Sequence, residues 1–263
     1  MVSIKNSCVY LVGGGPGDPE LLTLKALRLI EQADVVVYDR LVGDAVLDLV
    51  PTGTARIYVG KAAGDHALPQ DEINELLYRL AQSKTHVVRL KGGDPNVFGR
   101  GAEEADYLEA RGVRVEMVPG VTAAAACSAA ARVPLTYRGL ASGVRFVTGH
   151  RRNDGELDLD WRGLTDTDTT LVIYMGLSTL PLFSAKLMNA GMAPSTPAVL
   201  IASGATPNQK VVKATLSTLT QRAEETGLEM PVLTIIGEVA SVASVRETPD
   251  ENALDRKLES GVV

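Results

Sequence analysis

The chain has 263 residues, enough for one large domain or two medium ones with an ample core. Its 45% hydrophobic content excludes a disordered chain, and its net charge of −6 argues against a broad nucleic-acid surface while leaving room for a local basic pocket. Cys8 and Cys127 lack metal or redox spacing, His66, His86 and His150 are scattered, and no apolar run is long enough to cross a bilayer, so a soluble cytoplasmic protein without a metal is expected.

Residues 9–12 read as a short apolar strand, followed by a glycine-rich turn at 13–18. Asp18 as N-cap and Pro19 at the first helical position predict a helix to about Gln32, with Leu22, Ala26, Leu29, Ile30 and Ala33 on one face. A strand at 35–38 ends at Asp39-Arg40. Asp44 is expected to cap a short helix to Val50, and a third strand at 56–59 ends at Gly60-Lys61. Pro69 opens a helix in which Ile73, Leu76, Leu77 and Leu80 keep helical periodicity. A strand at 87–90, a helix near 102–111 and a strand at 113–117 complete this half. Alternating strands and helices predict a mostly parallel sheet covered by helices, with the loops after its strands converging on one edge.

Val118-Pro119-Gly120 breaks the pattern and divides the chain into domains at 1–118 and 119–245, with a charged tail at 246–263. An alanine-rich helix spans 123–131. Strands are expected at 144–148, 170–175, 198–202, 210–214 and 232–236, and helices at 179–189 and 216–225. The hairpin-like spacing of the third and fourth of these strands predicts a mixed sheet. The stretch 153–168 carries six Asp or Glu residues and reads as an exposed insertion.

The chemically richest stretch is Lys91 to Gly101, with four glycines, a proline and Asp94 directly after a strand. Glycine lets backbone approach a ligand, and a carboxylate there can accept from hydroxyls or an ammonium. A dinucleotide fingerprint fails at the first glycine turn, where Asp18 occupies the third glycine position and Pro16 intrudes. Asp39, near the distance of a ribose-binding acid, keeps that reading weakly alive. No Walker motif or nucleophile elbow is present.

Two longer stretches carry a resemblance. Val9-Tyr10-Leu11-Val12-Gly13-Gly14-Gly15-Pro16-Gly17-Asp18-Pro19-Glu20, followed by Tyr38-Asp39-Arg40-Leu41-Val42, resembles the first signature of the uroporphyrinogen-III C-methyltransferases. Val88-Arg89-Leu90-Lys91-Gly92-Gly93-Asp94-Pro95, continuing Phe98-Gly99-Arg100-Gly101, resembles the second, and Val118-Pro119-Gly120-Val121-Thr122-Ala123, Pro134-Leu135-Thr136 and Tyr174-Met175-Gly176 extend it. Gly14 stands where that family commonly has alanine, and Asn96 where it commonly has an aromatic.

The resemblance implies two α/β domains of the tetrapyrrole methylase type, with an active site in the cleft between them and a homodimeric assembly. It implies S-adenosylmethionine as cofactor and two methylations of uroporphyrinogen III, at C2 and C7, giving precorrin-2 for siroheme and cobalamin synthesis. Because the signature starts by Val9, the extra dehydrogenase and ferrochelatase domain of some relatives is not expected. The family's cofactor contacts fall on Pro16, Gly92, Gly93, Asp94, Val97, Thr122, Ala123, Met175 and Gly204, its proton acceptor on Asp39 and its proton donor on Lys61. A substrate with an acetate and a propionate on every ring calls for local cations, for which Arg40, Arg100, Arg138 and Arg151 are the candidates. On residues alone, Asp39 also fits a turn cap, Lys61 a solvated lysine, Met175 a core residue, and Arg100 a partner for Glu103 or Glu104. A methyltransferase acting on a later corrin precursor is the nearest alternative, a nicotinamide oxidoreductase, disfavoured by Asp18 at the third glycine position, is a second, and a non-catalytic tetrapyrrole carrier or sensor is a third.

Overall fold

A computed structural model describes residues 7–60, 68–150 and 157–242. Lys61, His66, Arg151 and the tail at 246–263 therefore lie outside the described residues. The chain divides into two compact units, residues 1–126 and 127–263, so the division falls inside the alanine-rich helix, beyond Val118.

In the first unit the strands are β1 (Cys8–Gly13), β2 (Val35–Tyr38), β3 (Ala55–Tyr58), β4 (His86–Lys91) and β5 (Arg114–Val118). They form one sheet in the order β3-β2-β4-β1-β5, and every pairing is parallel. Side chains alternate across the pleat. Val12, Val36, Val88 and Leu90 pack on one face with Ala26, Leu29 and Ile30 of α1 (Leu24–Glu31) and with Val46 and Leu47 of α2 (Asp44–Leu47). Val9, Leu11, Val35, Val37 and Val87 pack on the other with Ile73, Leu77 and Ala81 of α3 (Gln70–Ala81) and Leu108 of α4 (Gly101–Glu109). A sheet covered on both faces explains why these strands read as continuous apolar runs.

Two helix starts differ from the sequence reading. Asp18 does accept from the Glu20 amide, at 2.9 Å, but it caps only the 3₁₀ turn Pro19–Leu21. Thr23 then starts α1 afresh, its hydroxyl accepting from the Ala26 amide at 3.1 Å. A hydroxyl with non-helical φ and ψ breaks what periodicity alone joins into one helix. Asp44 makes no cap. Gly43 holds that position and Asp44 lies in the first turn, where its negative charge still suits the helix dipole.

The helix α5 (Ala123–Ala131) crosses the division between the units. The second unit contains β6 (Gly143–Thr148), β7 (Thr169–Tyr174), α6 (Leu180–Asn189), β8 (Pro197–Ala202), β9 (Lys210–Thr215), α7 (Leu219–Glu225) and β10 (Val232–Ile236). The sheet order is β6-β7-β10-β8-β9; only β6 and β7 pair in parallel, so the sheet is mixed as expected. Leu171, Ile173, Leu200 and Val212 meet Leu180, Phe183, Leu187 and Leu219 in its core. The described part of the acidic stretch is not simply an exposed insertion. Leu157 and Leu164 are buried in that core, and the Trp161 ring stands edge-on to Phe183 at 5.1 Å. Six charges mask three large apolar side chains at irregular spacing, which is why composition misreads this segment.

Candidate functional site

Parallel pairing brings the loops after β1, β2, β4 and β5 to one edge of the first sheet. The Gly14 amide donates to the Lys91 carbonyl at 2.7 Å, and Gly15 and Gly93 exchange both backbone hydrogen bonds, at 3.2 and 2.7 Å. Gly15 and Gly93 hold φ near 66° and 68°, a region that side chains with a Cβ avoid. The third loop approaches closer still. A Cβ on Gly13 would stand 2.5 Å from the Gly120 nitrogen and 2.7 Å from the Gly93 oxygen, both backbone. A Cβ on Gly92 would stand 2.6 Å from that of Leu41 in the loop after β2.

Asp94 ties this arrangement together. One carboxylate oxygen accepts from the Asn96 amide at 2.8 Å and the other from the Gly120 amide at 3.1 Å. The Val97 amide donates to the Asp94 carbonyl at 3.3 Å and closes the turn. The Thr122 carbonyl takes the Ala126 amide at 3.1 Å, which sets the first turn of α5 beside Gly93. A Cβ on Gly93 would find the Ala123 nitrogen at 3.8 Å and the Thr122 Cα at 3.9 Å, ordinary contact distances. Gly92, Gly93, Asp94, Thr122 and Ala123 are thus brought together, with Val97 behind them and Pro16 directly after the Gly15 bridge. Bare backbone on three sides and a carboxylate suit a ligand that carries hydroxyls or an ammonium.

Asp39 stands at the same edge. In the β2–β4 register Val37 faces Arg89, so Asp39 lies two residues further along the same face of the sheet. Its Oδ1 accepts from the Leu41 amide and its Oδ2 from Arg89 Nη2, each at 3.1 Å. Arg89 is only 3% exposed, and its Nε donates to Glu104 Oε1 at 3.3 Å. Glu104, fully buried on α4, also receives Lys91 Nζ at 2.8 Å and Gln70 Nε2 at 3.2 Å. Burial pushes the Lys91 ammonium below its ordinary range, with Arg89 adding to the shift and Glu104 opposing it. Two cations and two carboxylates balance, which makes such a buried cluster tolerable. Sequence reading missed Arg89, Lys91 and Glu104 as a group. The signal was present: a strand buried on both faces that carries Arg and Lys on alternate positions must find them anionic partners.

In the second unit β7 and β8 both run antiparallel to β10, so their carboxyl ends share one edge. Met175, which follows β7, takes φ near 53° and stays 48% exposed, so it is not a core residue. Gly204, which follows β8, lies between Ser203 and Ala205, at φ near 47° and 59°. A Cβ on Gly204 would run into the Cys127 sulfur. Burial pushes the Cys127 thiol up to about 12, so it acts there as an inert apolar group. Left-handed backbone at residues other than glycine costs of order 1–3 kcal/mol and gathers at functional sites.

The candidate arginines fare unequally. Arg40 and Arg138 are exposed, Arg138 in a tight loop closed by the Tyr137–Ala141 bridge. Arg100 forks onto Glu103 at 2.9 and 2.6 Å. Among the described residues no group of His, Cys, Asp or Glu is placed to hold a metal ion, and no helix is long and apolar enough to cross a membrane.

A family model for tetrapyrrole (corrin/porphyrin) methylases matches residues 8–220. A siroheme synthase of Azotobacter vinelandii is 53% identical over 231 residues, 88% of this chain and 50% of that protein. The chain thus spans half the length of that relative. A chloroplastic S-adenosyl-L-methionine-dependent uroporphyrinogen III methyltransferase of Arabidopsis thaliana is 52% identical over 236 residues, 89% of this chain and 64% of that one. The crystal structure of a uroporphyrin-III C-methyl transferase from Thermus thermophilus complexed with S-adenyl homocysteine superposes with a TM-score of 0.77 at 44% identity, covering 90% of this chain and 100% of the other.

Proposed function

The chain belongs to the tetrapyrrole (corrin/porphyrin) methylases, and from that premise we propose that it transfers methyl groups from S-adenosylmethionine to uroporphyrinogen III. The two methylations fall at C2 and C7 and give precorrin-2 by way of precorrin-1. The relatives named for uroporphyrinogen III methylation and for siroheme synthesis support this substrate and its onward use. The observation that carries the reading is the meeting of three glycine-lined loops around Gly93, with Asp39 held by Arg89 at the same sheet edge.

By the family resemblance, Pro16, Gly92, Gly93, Asp94, Val97, Thr122, Ala123, Met175 and Gly204 are the residues assigned to the methyl donor. The open backbone at Gly93 fits it, since a side chain at that point would occupy the approach. When bound, the donor would supply an electrophilic methyl on a sulfonium, whose sulfur becomes a neutral thioether once the methyl is transferred. The chain's own share is to hold the attacking carbon in line and to exclude water. Asp39 takes the proton that leaves the pyrrole system as the carbon–methyl bond forms. Lys61 is assigned proton donation. Arg40, Arg138 and Arg151 meet the substrate carboxylates, joined by Arg100 through whatever donors its Glu103 pair leaves over. The assembly is a homodimer, which sedimentation at micromolar concentration checks.

Calorimetric titration tests the reading. S-adenosylmethionine and S-adenosylhomocysteine bind and raise the melting temperature, and NAD does neither. Uroporphyrinogen III outcompetes precorrin-2 for the tetrapyrrole site, and the reverse order would favour a later corrin precursor as substrate. NAD binding without binding of either sulfur ligand overturns the assignment.

A further inference from the structure

A carboxylate that accepts a proton must present a fixed lone pair to the reacting group. Asp39 sits at a strand end, and its own turn supplies only the Leu41 amide, on Oδ1. A single hydrogen bond leaves the carboxylate free to swing about it. The second restraint comes from β4, where Arg89 Nη2 meets Oδ2. Arg89 is itself immobilised: Nη1 donates to the Leu90 carbonyl at 3.1 Å, Nε donates to Glu104, and 3% of the residue is exposed. Glu104 is pinned in turn by Lys91 and Gln70.

We propose that Arg89 is the positioning residue for Asp39, fixing the direction from which the carboxylate meets the tetrapyrrole. This rests on the reading in which Asp39 accepts the proton. The planar guanidinium reaches two carboxylates at once, Asp39 through Nη2 and Glu104 through Nε, which a lysine ammonium at the same place does not reproduce. One lone pair of each Asp39 oxygen is occupied, by Leu41 and by Arg89, and the others face away from these donors. Arginine does not give up its proton in proteins, so the guanidinium orients the base and takes no proton from it. The proton released from the pyrrole system ends on Asp39, while the carbon–methyl bond forms and the sulfur–methyl bond breaks with its electron pair left on sulfur.

A double-mutant cycle read by single-turnover methyl transfer and by S-adenosylhomocysteine titration tests this. Arg89→Met is expected to slow transfer per folded molecule about tenfold or more, as expected for a misdirected base, with S-adenosylhomocysteine affinity within about twofold of wild type. In an Asp39→Asn background the same change is expected to slow transfer less than about threefold, because the group it positions is already gone. A purely structural Arg89 gives a lower melting temperature and equal proportional losses in both backgrounds, or no loss per folded molecule; either result overturns the proposal. Arg89→Lys keeps the charge beside Glu104 and covers the case in which Arg89→Met fails to fold. It is expected to transfer slowly, and wild-type transfer by Arg89→Lys also overturns it. If the wild-type chain transfers no methyl group, the functional reading falls and this inference with it; if wild type is active and Asp39→Asn is slow while the Arg89 variants are not, only this inference falls.

Discussion

At the carboxyl edge of the parallel sheet the chain is tied by buried charge, and Phe98 and Arg100 as well as Gly15 and Gly93 take positive φ, whereas at that of the mixed sheet Met175, Ser203 and Ala205 turn left-handed beside a buried thiol. The first edge anchors Asp39, through Arg89, to a buried cluster of three charges, Arg89, Lys91 and Glu104. The second edge carries left-handed backbone on residues with a Cβ and rests Gly204 against Cys127. The first edge is tied by buried ion pairs, the second by hydrogen bonds within its turn, such as Ala205 N to Gln209 Oε1 at 2.8 Å, and by the packing of Gly204 on Cys127. Both should fail when volume is added, since Gly13 and Gly204 leave no room for a Cβ, and the first should also fail when a buried charge loses its partner.

Glu104→Ala is the largest expected break. It leaves Arg89 and Lys91 buried without their shared carboxylate, a loss of about 3–5 kcal/mol, measured by urea unfolding. A smaller loss than about 1 kcal/mol there would mean that the cluster is not what holds the edge. Gly204→Ala comes next, at about 1–3 kcal/mol from overpacking against the Cys127 sulfur. Adding Cys127→Ala removes that sulfur and is expected to recover part of the loss, while the same second change leaves Glu104→Ala uncorrected. Recovery of both variants, or of neither, would erase the distinction between the two edges.

Asp34 lies at the opposite end of the parallel sheet, where β4 begins. Asp34 Oδ2 accepts from the Thr85 and His86 amides at 2.8 and 2.9 Å, just ahead of β4. The His86 amide, aided by that of Thr85, holds the Asp34 carboxyl below its ordinary value. A folded-state value below the unfolded one adds stability that is present above the unfolded value, near pH 4, and is lost as pH falls through the folded value. Asp34→Ala is thus expected to cost about 1 kcal/mol at neutral pH and progressively less in acid. S-adenosylhomocysteine affinity should not change, because Asp34 lies at the edge away from the ligand loops. The smallest effect is expected for Arg100→Ala, within about 0.5 kcal/mol of wild type, since its pair with Glu103 is exposed. Tetrapyrrole affinity, followed by titration, should fall less for Arg100→Ala than for Arg40→Ala.

The same contrast explains what the sequence discloses. Alternating apolar runs and glycine turns announce the parallel sheet and the closely approaching loops at its carboxyl edge, because a twice-covered strand and a close backbone approach each demand a recognisable residue type. The break between Leu21 and Leu24 escapes periodicity, since the apolar spacing runs through it and only the Thr23 hydroxyl marks the restart. The Arg89–Glu104 contact spans a strand, a loop and a helix turn, so no local pattern joins the two residues. Ser203 and Ala205 give no sign in sequence of their left-handed backbone, because residues with a Cβ seldom take it and neither side chain marks it. Trp161 and Leu164 disappear among acidic neighbours although both pack into or against the second core.

The proposed methyl transfer takes place at the sheet edge that carries both Gly93 and Asp39. Incubation of the full chain with methyl-labelled S-adenosylmethionine and uroporphyrinogen III under reducing conditions, read by mass spectrometry of the tetrapyrrole, tests it most directly. The tetrapyrrole is expected to gain one and then two labelled methyl groups, at a rate lowered about a hundredfold in Asp39→Asn, the usual range for losing a general base. A wild-type chain that binds both ligands yet leaves the tetrapyrrole unlabelled would contradict it.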